Sequence, residues 1–308
     1  MVQSKTMGLS MFNIKKWHKM MHGKSILHVN QDMGKSFVPG EIKGYFNNLT
    51  EKVTKEPELL DNGKLPLLQT EKKGAIEFPV GIFQYGLGTY DLYLQTGEEK
   101  YLTKFKQCVD WALAHQFDNG AWDILSFLYP DAPYSAMCQG EGASLLTRAY
   151  VQFGDESYLK HAEAALGFML ISVDEGGTSK YDGDDLILLE YTNMPAVLNG
   201  WIFASFGLYD VAIARNDGKY KEIFDKTIDT IIKYLPSFDN GYWSKYNLGK
   251  NLASPFYHNL HIAQMHGLYL ATGKETFKQY ENKWGVYRNK WWNRKRAFVK
   301  KAWQKIKE

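Results

Sequence analysis

The sequence predicts a mainly α-helical fold, an α/α toroid in which about four helical hairpins surround a central cleft. A proline recurs about every 60 residues, a glycine-containing turn follows each proline about 20 residues later, and the segments beside each turn have helical periodicity. The prolines are Pro79, Pro133, Pro195 and Pro255, and the turns are Thr96–Glu98, Phe153–Asp155, Asn216–Gly218 and Thr272–Lys274. Such long units do not suit a solenoid of short repeats, and they favour two concentric layers of helices.

Residues 1–77 differ from the repeat and are predicted to form an N-terminal arm. Residues 11–22 have the pattern of a short basic amphipathic helix, whereas glycines and a proline interrupt the apolar runs between Lys24 and Leu49. That punctuation predicts an extended β-hairpin. Residues 1–35 carry charge throughout and lack an apolar stretch of the length that a signal peptide requires. We therefore expect a cytoplasmic location.

Residues 78–288 are predicted to form the toroid domain, with each proline at the first position of an inner helix. The inner helices are apolar nearly all round, as in residues 197–209, and the outer helices are amphipathic, as in residues 101–112. The loops from each outer helix to the next inner helix then open on one face, where we expect the functional site. These loops are residues 119–133, 181–195 and 242–261, which are rich in Tyr and Asp.

The start of the fourth inner helix places a phenol and two imidazoles in its first turns. Ser254 is a good N-cap, and Pro255 loses no hydrogen bond at the first helical position. Tyr257 and His261 are four residues apart and share one face of the helix, whereas His258 lies to the side. This combination of side chains indicates proton-transfer chemistry at the mouth of the helix.

Composition narrows the range of function classes. Hydrophobic residues make up 44% of the chain and charged residues 23%, which fits a globular protein, and aromatic residues reach 15%, which suits a large core or a sugar-stacking groove. The two cysteines, Cys108 and Cys138, fall inside helical patterns without metal-ligand spacing, so a disulfide framework is not expected and a reducing compartment is favoured. No apolar run is long enough to predict a transmembrane helix.

Residues 289–308 are predicted to form a basic, Trp-rich C-terminal helix or tail. Residues 288–308 contain nine Lys or Arg against one Glu. Such a segment could bind an acidic polysaccharide, a nucleic acid or an anionic membrane surface. Trp291, Phe298 and Trp303 do not keep one clean helical stripe, so the sequence favours a docked helix with a solvated basic face. Weak contact with the inner membrane face is one hypothesis for this tail, and we expect no nucleic-acid partner.

Several motifs in the loops and inner helices, taken in order, resemble the catalytic domain of the D-glucuronyl C5-epimerases, which act on heparosan and related glucuronate-containing polysaccharides. The resemblance covers about Phe78 to Arg288, and the chain looks like a short bacterial-type member. The matching pieces are Tyr134–Glu141, Arg148–Tyr150, Glu190–Tyr191, Pro195–Gly200, Gly207–Asp210 and Tyr257–His261.

The resemblance implies an isomerase that inverts C5 of D-glucuronate to L-iduronate within an acidic polysaccharide. It also implies a homodimer. We expect no cofactor and no metal. By the family pattern, the catalytic carboxylate corresponds to Glu190, the adjacent tyrosine to Tyr191, a third-loop tyrosine to Tyr246 and the helix-mouth tyrosine to Tyr257. Where the family commonly has arginine in the third loop, this chain has Gly249–Lys250, so Lys250 would have to hold the uronate carboxylate without the two-pronged geometry of arginine.

Inversion at C5 requires two acid/base groups on opposite faces of the sugar ring, and we expect Glu190 and Tyr257 to be these groups. Burial would raise the pKa of Glu190, and neighbouring cations could lower that of Tyr257. The predicted substrate-binding residues are His258, His261, Lys250, Gln139, Glu141, Arg148 and Asn199.

Structural roles compete with functional roles for several of these residues. Either histidine could be a helix histidine with satisfied hydrogen bonds, and Tyr191 and Tyr246 could be packing residues. Glu141 and Arg148 are about two turns apart on one helix, so a structural ion pair competes with a substrate contact. Residues 182–185 resemble a calcium loop only superficially, and a solvated turn is the better interpretation.

Two other functions fit the same sequence. A uronate polysaccharide lyase begins with the same removal of the C5 proton, but it then expels the substituent at C4 and leaves an unsaturated sugar. A non-catalytic glycan-binding relative would explain the missing third-loop arginine. The sequence therefore favours an epimerase and leaves the lyase and the binding protein as alternatives.

Overall fold

The computed structural model of the protein describes Lys15 and residues 28–307. Two short helices, α1 (Thr50–Thr54) and α2 (Glu58–Asp61), precede an antiparallel hairpin of β1 (Leu67–Thr70) and β2 (Gly74–Glu77). Four helical hairpins follow: α3 (Pro79–Thr96) with α4 (Glu99–His115), α5 (Ala136–Phe153) with α6 (Glu156–Met169), α7 (Leu198–Arg215) with α8 (Gly218–Phe238), and α9 (Pro255–Thr272) with α10 (Glu275–Asn289). A second β-hairpin, β3 (Ser179–Asp182) with β4 (Asp185–Leu188), lies between α6 and α7, and α11 (Trp291–Lys307) ends the described chain.

The predicted α/α toroid of about four hairpins is confirmed. Helices α3, α5 and α7 are buried on nearly every side, whereas α4, α6 and α8 bury one face, so the former make the inner layer and the latter the outer layer. The residue directly after each inner helix has a left-handed backbone conformation. These residues are Gly97, Gly154, Asn216 and Gly273. These residues allow the sharp turn into the outer helix.

Inner helices α5 and α7 approach each other closely because glycine occupies their crossing point. A Cβ atom on Gly207 would lie 2.6 Å from the Cα atom of Gly140, and one on Gly140 would lie 2.5 Å from the Cα atom of Ala204. The backbones can therefore meet only where side chains are missing. This crossing fixes the two hairpins whose loops form the centre of the candidate site.

The positions at which the inner helices begin differ from the prediction in two of four repeats. Pro79 and Pro255 are the first residues of α3 and α9, as expected. Helices α5 and α7 instead begin at Ala136 and Leu198, each three residues after its proline. At these two places the chain is tied to neighbouring loops, by Ala136 N–H to the Leu189 carbonyl (2.8 Å) and by Leu198 N–H to the Tyr246 carbonyl (3.1 Å). These bonds between loops delay the start of each helix.

Part of the segment predicted as a separate arm, residues 45–53, packs into the core of the toroid instead. Tyr45, Phe46, Leu49 and Val53 belong to the same hydrophobic cluster as the inner helices and are almost fully buried. Residues 28–49 contain bends and a single bridge between Met33 and Asn47, and the β-hairpin lies later, at residues 67–77. The helix predicted over residues 11–22 lies outside the described residues, apart from Lys15.

Helix α11 docks on the third loop through a small, polar face. Ala297 is 1% exposed, Gln304 Nε2 donates to the Lys250 carbonyl (2.7 Å), and Leu252 N–H donates to Gln304 Oε1 (3.1 Å). The expectation that its aromatic residues form no stripe was wrong, because Trp292 and Val299 complete one. The exposed apolar residues Trp291, Trp292, Phe298, Val299 and Trp303 follow one side of the helix.

Candidate active site

The candidate site lies where three loops meet the starts of the inner helices. Strand β4 is fixed to α8 by Thr230 and Thr227, whose hydroxyl groups bond the N–H (3.0 Å) and carbonyl (2.9 Å) of Leu186. The chain leaves β4 and presents Glu190 and Tyr191 beside the first turn of α7. The next loop returns to the same place, since Leu248 N–H donates to the Ala196 carbonyl (2.9 Å).

Tyrosine side chains from three loops gather around Glu190. The rings of Tyr246 and Tyr257 have centroids 4.9 Å apart, and those of Tyr129 and Tyr191 make an edge-to-face contact at 6.4 Å. Tyr191 in turn interacts with Tyr246 and with Glu190. The structure therefore brings together the four predicted catalytic residues. Tyr129, which sequence reasoning missed, comes from the first of the Tyr-rich loops, and that richness was the available signal.

Glu190 is partly exposed as a residue, but its Oε2 atom is buried and has no hydrogen-bond partner among the described residues. Burial raises the pKa of Glu190 to about 7, and interaction with the Tyr191 hydroxyl opposes that rise. A carboxylate with this pKa is partly ionised at neutral pH and can both accept and release a proton. An unpaired buried oxygen is also costly, so this atom is available to a ligand.

Tyr191, Tyr246 and Tyr257 remain protonated at neutral pH. Burial, followed by the negative charge of Glu190, raises the pKa of Tyr257 and of Tyr246. For Tyr191 the charge of Glu190 is the larger cause and burial the second. The expectation that cations lower the pKa of Tyr257 was therefore wrong, because the dominant neighbouring charge is a carboxylate. These protonated phenols are hydrogen-bond donors beside Glu190, whose pKa is about 7.

His258 and His261, predicted to bind substrate, are buried and make hydrogen bonds within the protein. The Nε2 atom of His261 has no partner among the described residues. Ser244 N–H donates to His258 Nδ1 (3.2 Å), so the proton of His258 lies on Nε2, which faces the Trp284 carbonyl (3.2 Å). Ser244 Oγ bridges His258 Nδ1 (2.8 Å) and His261 Nδ1 (2.9 Å). Burial lowers the pKa of His258 to about 3 and that of His261 well below its usual range. Both are neutral and fully buried, so neither supplies a cation for a uronate carboxylate.

Three other residues predicted to bind substrate, Gln139, Arg148 and Glu141, make hydrogen bonds or ion pairs within the protein. Gln139 bonds both backbone groups of Trp122 at 3.3 Å and ties the first loop to α5. Arg148 is buried and pairs with Asp210 (2.6 Å), and its guanidinium also donates to the carbonyls of Lys43 (2.9 Å) and Gly44 (3.1 Å). The predicted Glu141–Arg148 pair was wrong, because both side chains find partners on other elements.

Glu141 lies beneath the site in the buried interior. Its Oε1 atom accepts a hydrogen bond from Gln84 Nε2 (2.7 Å), and its Oε2 atom has no partner among the described residues. Burial raises the pKa of Glu141 to about 8, and the negative charge of Glu190 adds to that rise, whereas Gln84 and Lys52 oppose it. Glu141 is therefore mostly protonated at neutral pH. Its side chain is buried and bonded to Gln84, which differs from the predicted contact with substrate.

Of the two remaining predicted residues, Asn199 lies at the site and Lys250 lies at its edge. Asn199 is buried in the first turn of α7, and its Oδ1 atom has no partner among the described residues. Lys250 is exposed. Sequence reasoning missed Lys301 of α11, which is 9% exposed and has its Nζ atom 5.8 Å from the centroid of the Tyr246 ring. Lys301 and Tyr246 are far apart in the sequence, so residue spacing within one element does not predict this contact.

Residues 182–185 form the tight turn between β3 and β4, in which Gly183 has a φ of +59°. Asp185 pairs with Lys233 of α8 (2.7 Å). Within the described part of the chain, no group of three or more His, Cys, Asp or Glu side chains is arranged to hold a metal ion.

A family model described as the D-glucuronyl C5-epimerase C-terminus matches residues 126–286, just over half of the chain. The chain belongs to this family. The range matched by the D-glucuronyl C5-epimerase C-terminus contains Tyr129, Glu190, Tyr191, Tyr246 and Tyr257. It starts later than the resemblance inferred from the motifs, so the hairpin of α3 and α4 lies outside it, as does α11.

Comparison with individual proteins agrees with membership of the D-glucuronyl C5-epimerase family. A D-glucuronyl C5-epimerase of Caenorhabditis elegans is 31% identical over 193 residues, which cover 53% of this chain and 31% of that protein. An uncharacterised protein of Methanocaldococcus jannaschii is 32% identical over 155 residues, which cover 48% of this chain and 50% of that protein. The chain thus spans half of these curated relatives or less.

Among solved structures, D-mannose isomerase superposes with a TM-score of 0.50 at 11% identity, covering 77% of this chain and 68% of that chain. A likeness at this identity shows a shared fold alone. Within the described residues, no helix combines the length and the apolar character needed to cross a membrane.

Proposed function

We propose that the protein is an isomerase that inverts C5 of D-glucuronate residues to L-iduronate in an acidic polysaccharide. The observation that carries this proposal is the Glu190 carboxylate, which has a pKa of about 7 and an unpaired buried oxygen and lies within a cluster of protonated tyrosines. Membership of the epimerase family and the C. elegans relative, which is named for glucuronate, support the choice of sugar.

In the proposed reaction, ionised Glu190 removes the C5 proton, and its carboxylate becomes a carboxylic acid. The electron pair left at C5 delocalises into the uronate carboxylate, where hydrogen-bond donors stabilise the added negative charge. Tyr257 then delivers its phenolic proton to the opposite face of C5, which forms the C–H bond of the epimer and leaves a phenolate. Proton exchange with solvent restores both groups and completes the cycle.

The tyrosines between the two groups suit the stabilising role. Tyr191 and Tyr246 are protonated donors that interact with each other, and Tyr191 reaches Glu190 while Tyr246 reaches Tyr257. A phenol next to a developing oxyanion strengthens its hydrogen bond as charge accumulates. Lys301 adds a cation near this cluster, since its ammonium lies over the ring of Tyr246.

Incubation with candidate glucuronate polymers in deuterated water tests the proposal. We expect deuterium at C5 in intact chains that contain both epimers, measured by NMR. Glu190→Gln is expected to lower exchange about 10²-fold or more because it removes the proton acceptor. Tyr257→Phe is expected to retain C5 exchange through Glu190 but lose inversion, because the second proton donor is missing. Tyr269→Phe, at the far end of α9, is the matched control and should keep wild-type activity.

The same experiment separates the alternatives. New double bonds and shorter chains would indicate a lyase, and neither exchange nor cleavage with any glucuronate polymer that the protein binds would indicate a glycan-binding protein. The rate from D-glucuronate should rise as the pH passes through about 7, because deprotonation of Glu190 creates the base. A rate that is independent of pH across this range would contradict the role of Glu190.

A further inference from the structure

Helix α11 presents two opposite faces. Its docking face is formed by Ala297 and Gln304, which contact the third loop, and the opposite side exposes large apolar residues. Trp292 is 76% exposed and Val299 66% exposed. We call the second side the Trp-rich face, which consists of Trp291, Trp292, Phe298, Val299 and Trp303.

Basic side chains border the Trp-rich face, and α11 contains no Asp or Glu. At 100° per residue, Arg294 lies on one edge of the face and Arg296 and Lys300 on the other, and all three are exposed. Lys295 lies within the face, and its ammonium makes a cation–π contact with Trp291, with Nζ 3.9 Å from the centre of the ring. The face is therefore mostly apolar, with one ammonium group over Trp291 and further cations along its edges.

This arrangement suits a lipid surface better than a nucleic acid or a glycan. Partners that carry phosphate or carboxylate groups in water are bound mainly through cations, whereas the most exposed side chains of this face, Trp292 and Val299, are apolar. Tryptophan favours the boundary between lipid headgroups and acyl chains, and an exposed aliphatic residue such as Val299 gains free energy only by leaving water. Bordering Lys and Arg residues then meet anionic headgroups.

We propose that α11 is a peripheral anchor whose Trp-rich face enters the interfacial layer of an anionic bilayer while Arg294 and Lys300 contact headgroup phosphates. The opposite face of the helix remains docked on the loop that carries Tyr246. Anchoring therefore places the mouth of the candidate site beside the membrane surface. The anchor does not depend on the reaction proposed above, since α11 lies outside the range matched by the family.

Vesicle co-sedimentation of the full chain tests the anchor. With phosphatidylcholine vesicles that contain phosphatidylglycerol, we expect binding about tenfold or more above binding to phosphatidylcholine alone. Trp292→Ser with Val299→Ser is expected to lower binding about tenfold, because it removes the most exposed apolar area. Lys72→Glu with Lys73→Glu, in the exposed turn of the first β-hairpin, is the charge control and should bind as wild type. Circular dichroism verifies that each variant is folded.

Site-specific labelling provides a second measurement that does not depend on loss of function. Both native cysteines are buried, so a polarity-sensitive fluorophore will label Val299→Cys selectively. We expect a blue shift with anionic vesicles for this label and none for a label on Lys73→Cys. Equal shifts at both positions, or no binding to anionic vesicles, would overturn the proposal. Binding of a soluble acidic polysaccharide that is lost with Trp292→Ser and Val299→Ser, without vesicle binding, would assign the face to glycan instead.

Discussion

At the scale of single residues, the position of the Glu190 carboxylate depends on the missing side chain of Gly200. A Cβ atom on Gly200 would lie 2.3 Å from Oε2 of Glu190 and 2.6 Å from its Cβ atom. Both distances are shorter than carbon and oxygen atoms tolerate without bonding. The glycine in the first turn of α7 therefore creates the space in which the proposed base lies.

Gly200→Ala is expected to displace Glu190 and lower the rate of C5 deuterium exchange about 10²-fold, since a shift of about 1 Å at a reacting group has an effect of this size. Gly167→Ala in α6 is the matched control, because a Cβ atom there meets nothing within 4 Å. It should keep wild-type exchange, with equal or higher thermal stability. Full activity of folded Gly200→Ala would contradict the assigned position of the base.

The sequence predicts which loops meet at the site, but it does not predict what each side chain contacts there. The loops that carry Glu190, Tyr191 and Tyr246 meet at the mouth of α9 as predicted from the direction of the repeat. The histidines were misassigned because helical spacing shows which face a side chain shares and not what lies opposite. Ser244, fourteen residues before His258, bonds the Nδ1 atom of both imidazoles.

At the scale of secondary-structure elements, α11 places a cation beside the tyrosine cluster. Lys250 is exposed and interacts with α11 through its backbone carbonyl, whereas Lys301 is almost fully buried beside Tyr246. Although Lys301 lies 51 residues after Lys250 in the sequence, its ammonium contacts the tyrosine cluster. A cation in this position can stabilise charge that develops on the uronate carboxylate.

Lys301→Ala is expected to lower kcat about tenfold or more, whereas Lys250→Ala should have a small effect, because an exposed ammonium is screened by water. Lys301→Arg should restore part of the activity by returning the positive charge. Lys300→Ala tests for general damage to α11, since Lys300 is the exposed neighbour on the same helix. Equal losses for Lys250→Ala and Lys301→Ala, measured as kcat with soluble oligosaccharides, would contradict the role of α11.

Element boundaries show how loops override local helix signals. Proline at the first position correctly predicts the start of α3 and α9. Before α5 and α7, the residues after each proline instead bond to the loop of the neighbouring hairpin. These bonds join distant segments, so spacing along the chain does not reveal them.

At the scale of the whole molecule, the fold class follows from the repeat, but the composition of the core does not. Tyr45 and Phe46 pack among the inner helices, and Tyr45 N–H donates to Asp91 Oδ1 of α3 (2.9 Å). Arg148 fixes the same segment through its bonds to Lys43 and Gly44. The segment before the repeat has no periodicity of its own, because its place in the core is set by partners on three different helices.

Buried acids make the stability of the whole molecule depend on pH. Burial raises the pKa of Glu141 to about 8 and that of Asp91 to about 7. A carboxyl group with a raised folded-state pKa binds its proton more tightly when folded. Its contribution to stability is therefore complete below its unfolded pKa and is lost as the pH rises through the folded pKa. For Glu141 this loss spans about pH 4.5 to 8.

Glu141→Gln keeps the shape of the protonated acid and the acceptor for Gln84 but has no proton to lose. We expect this variant to resemble wild type near pH 5 and to be more stable near pH 8.5, by on the order of a few kcal/mol, because wild type must bury a charge or hold a proton against the solvent. Urea unfolding at both pH values measures the difference, with Glu71→Gln in the exposed hairpin turn as the control. If Glu141→Gln kept the wild-type dependence on pH, Glu141 would have to be ionised in the folded protein, and the buried interior beneath Glu190 would then carry a second negative charge.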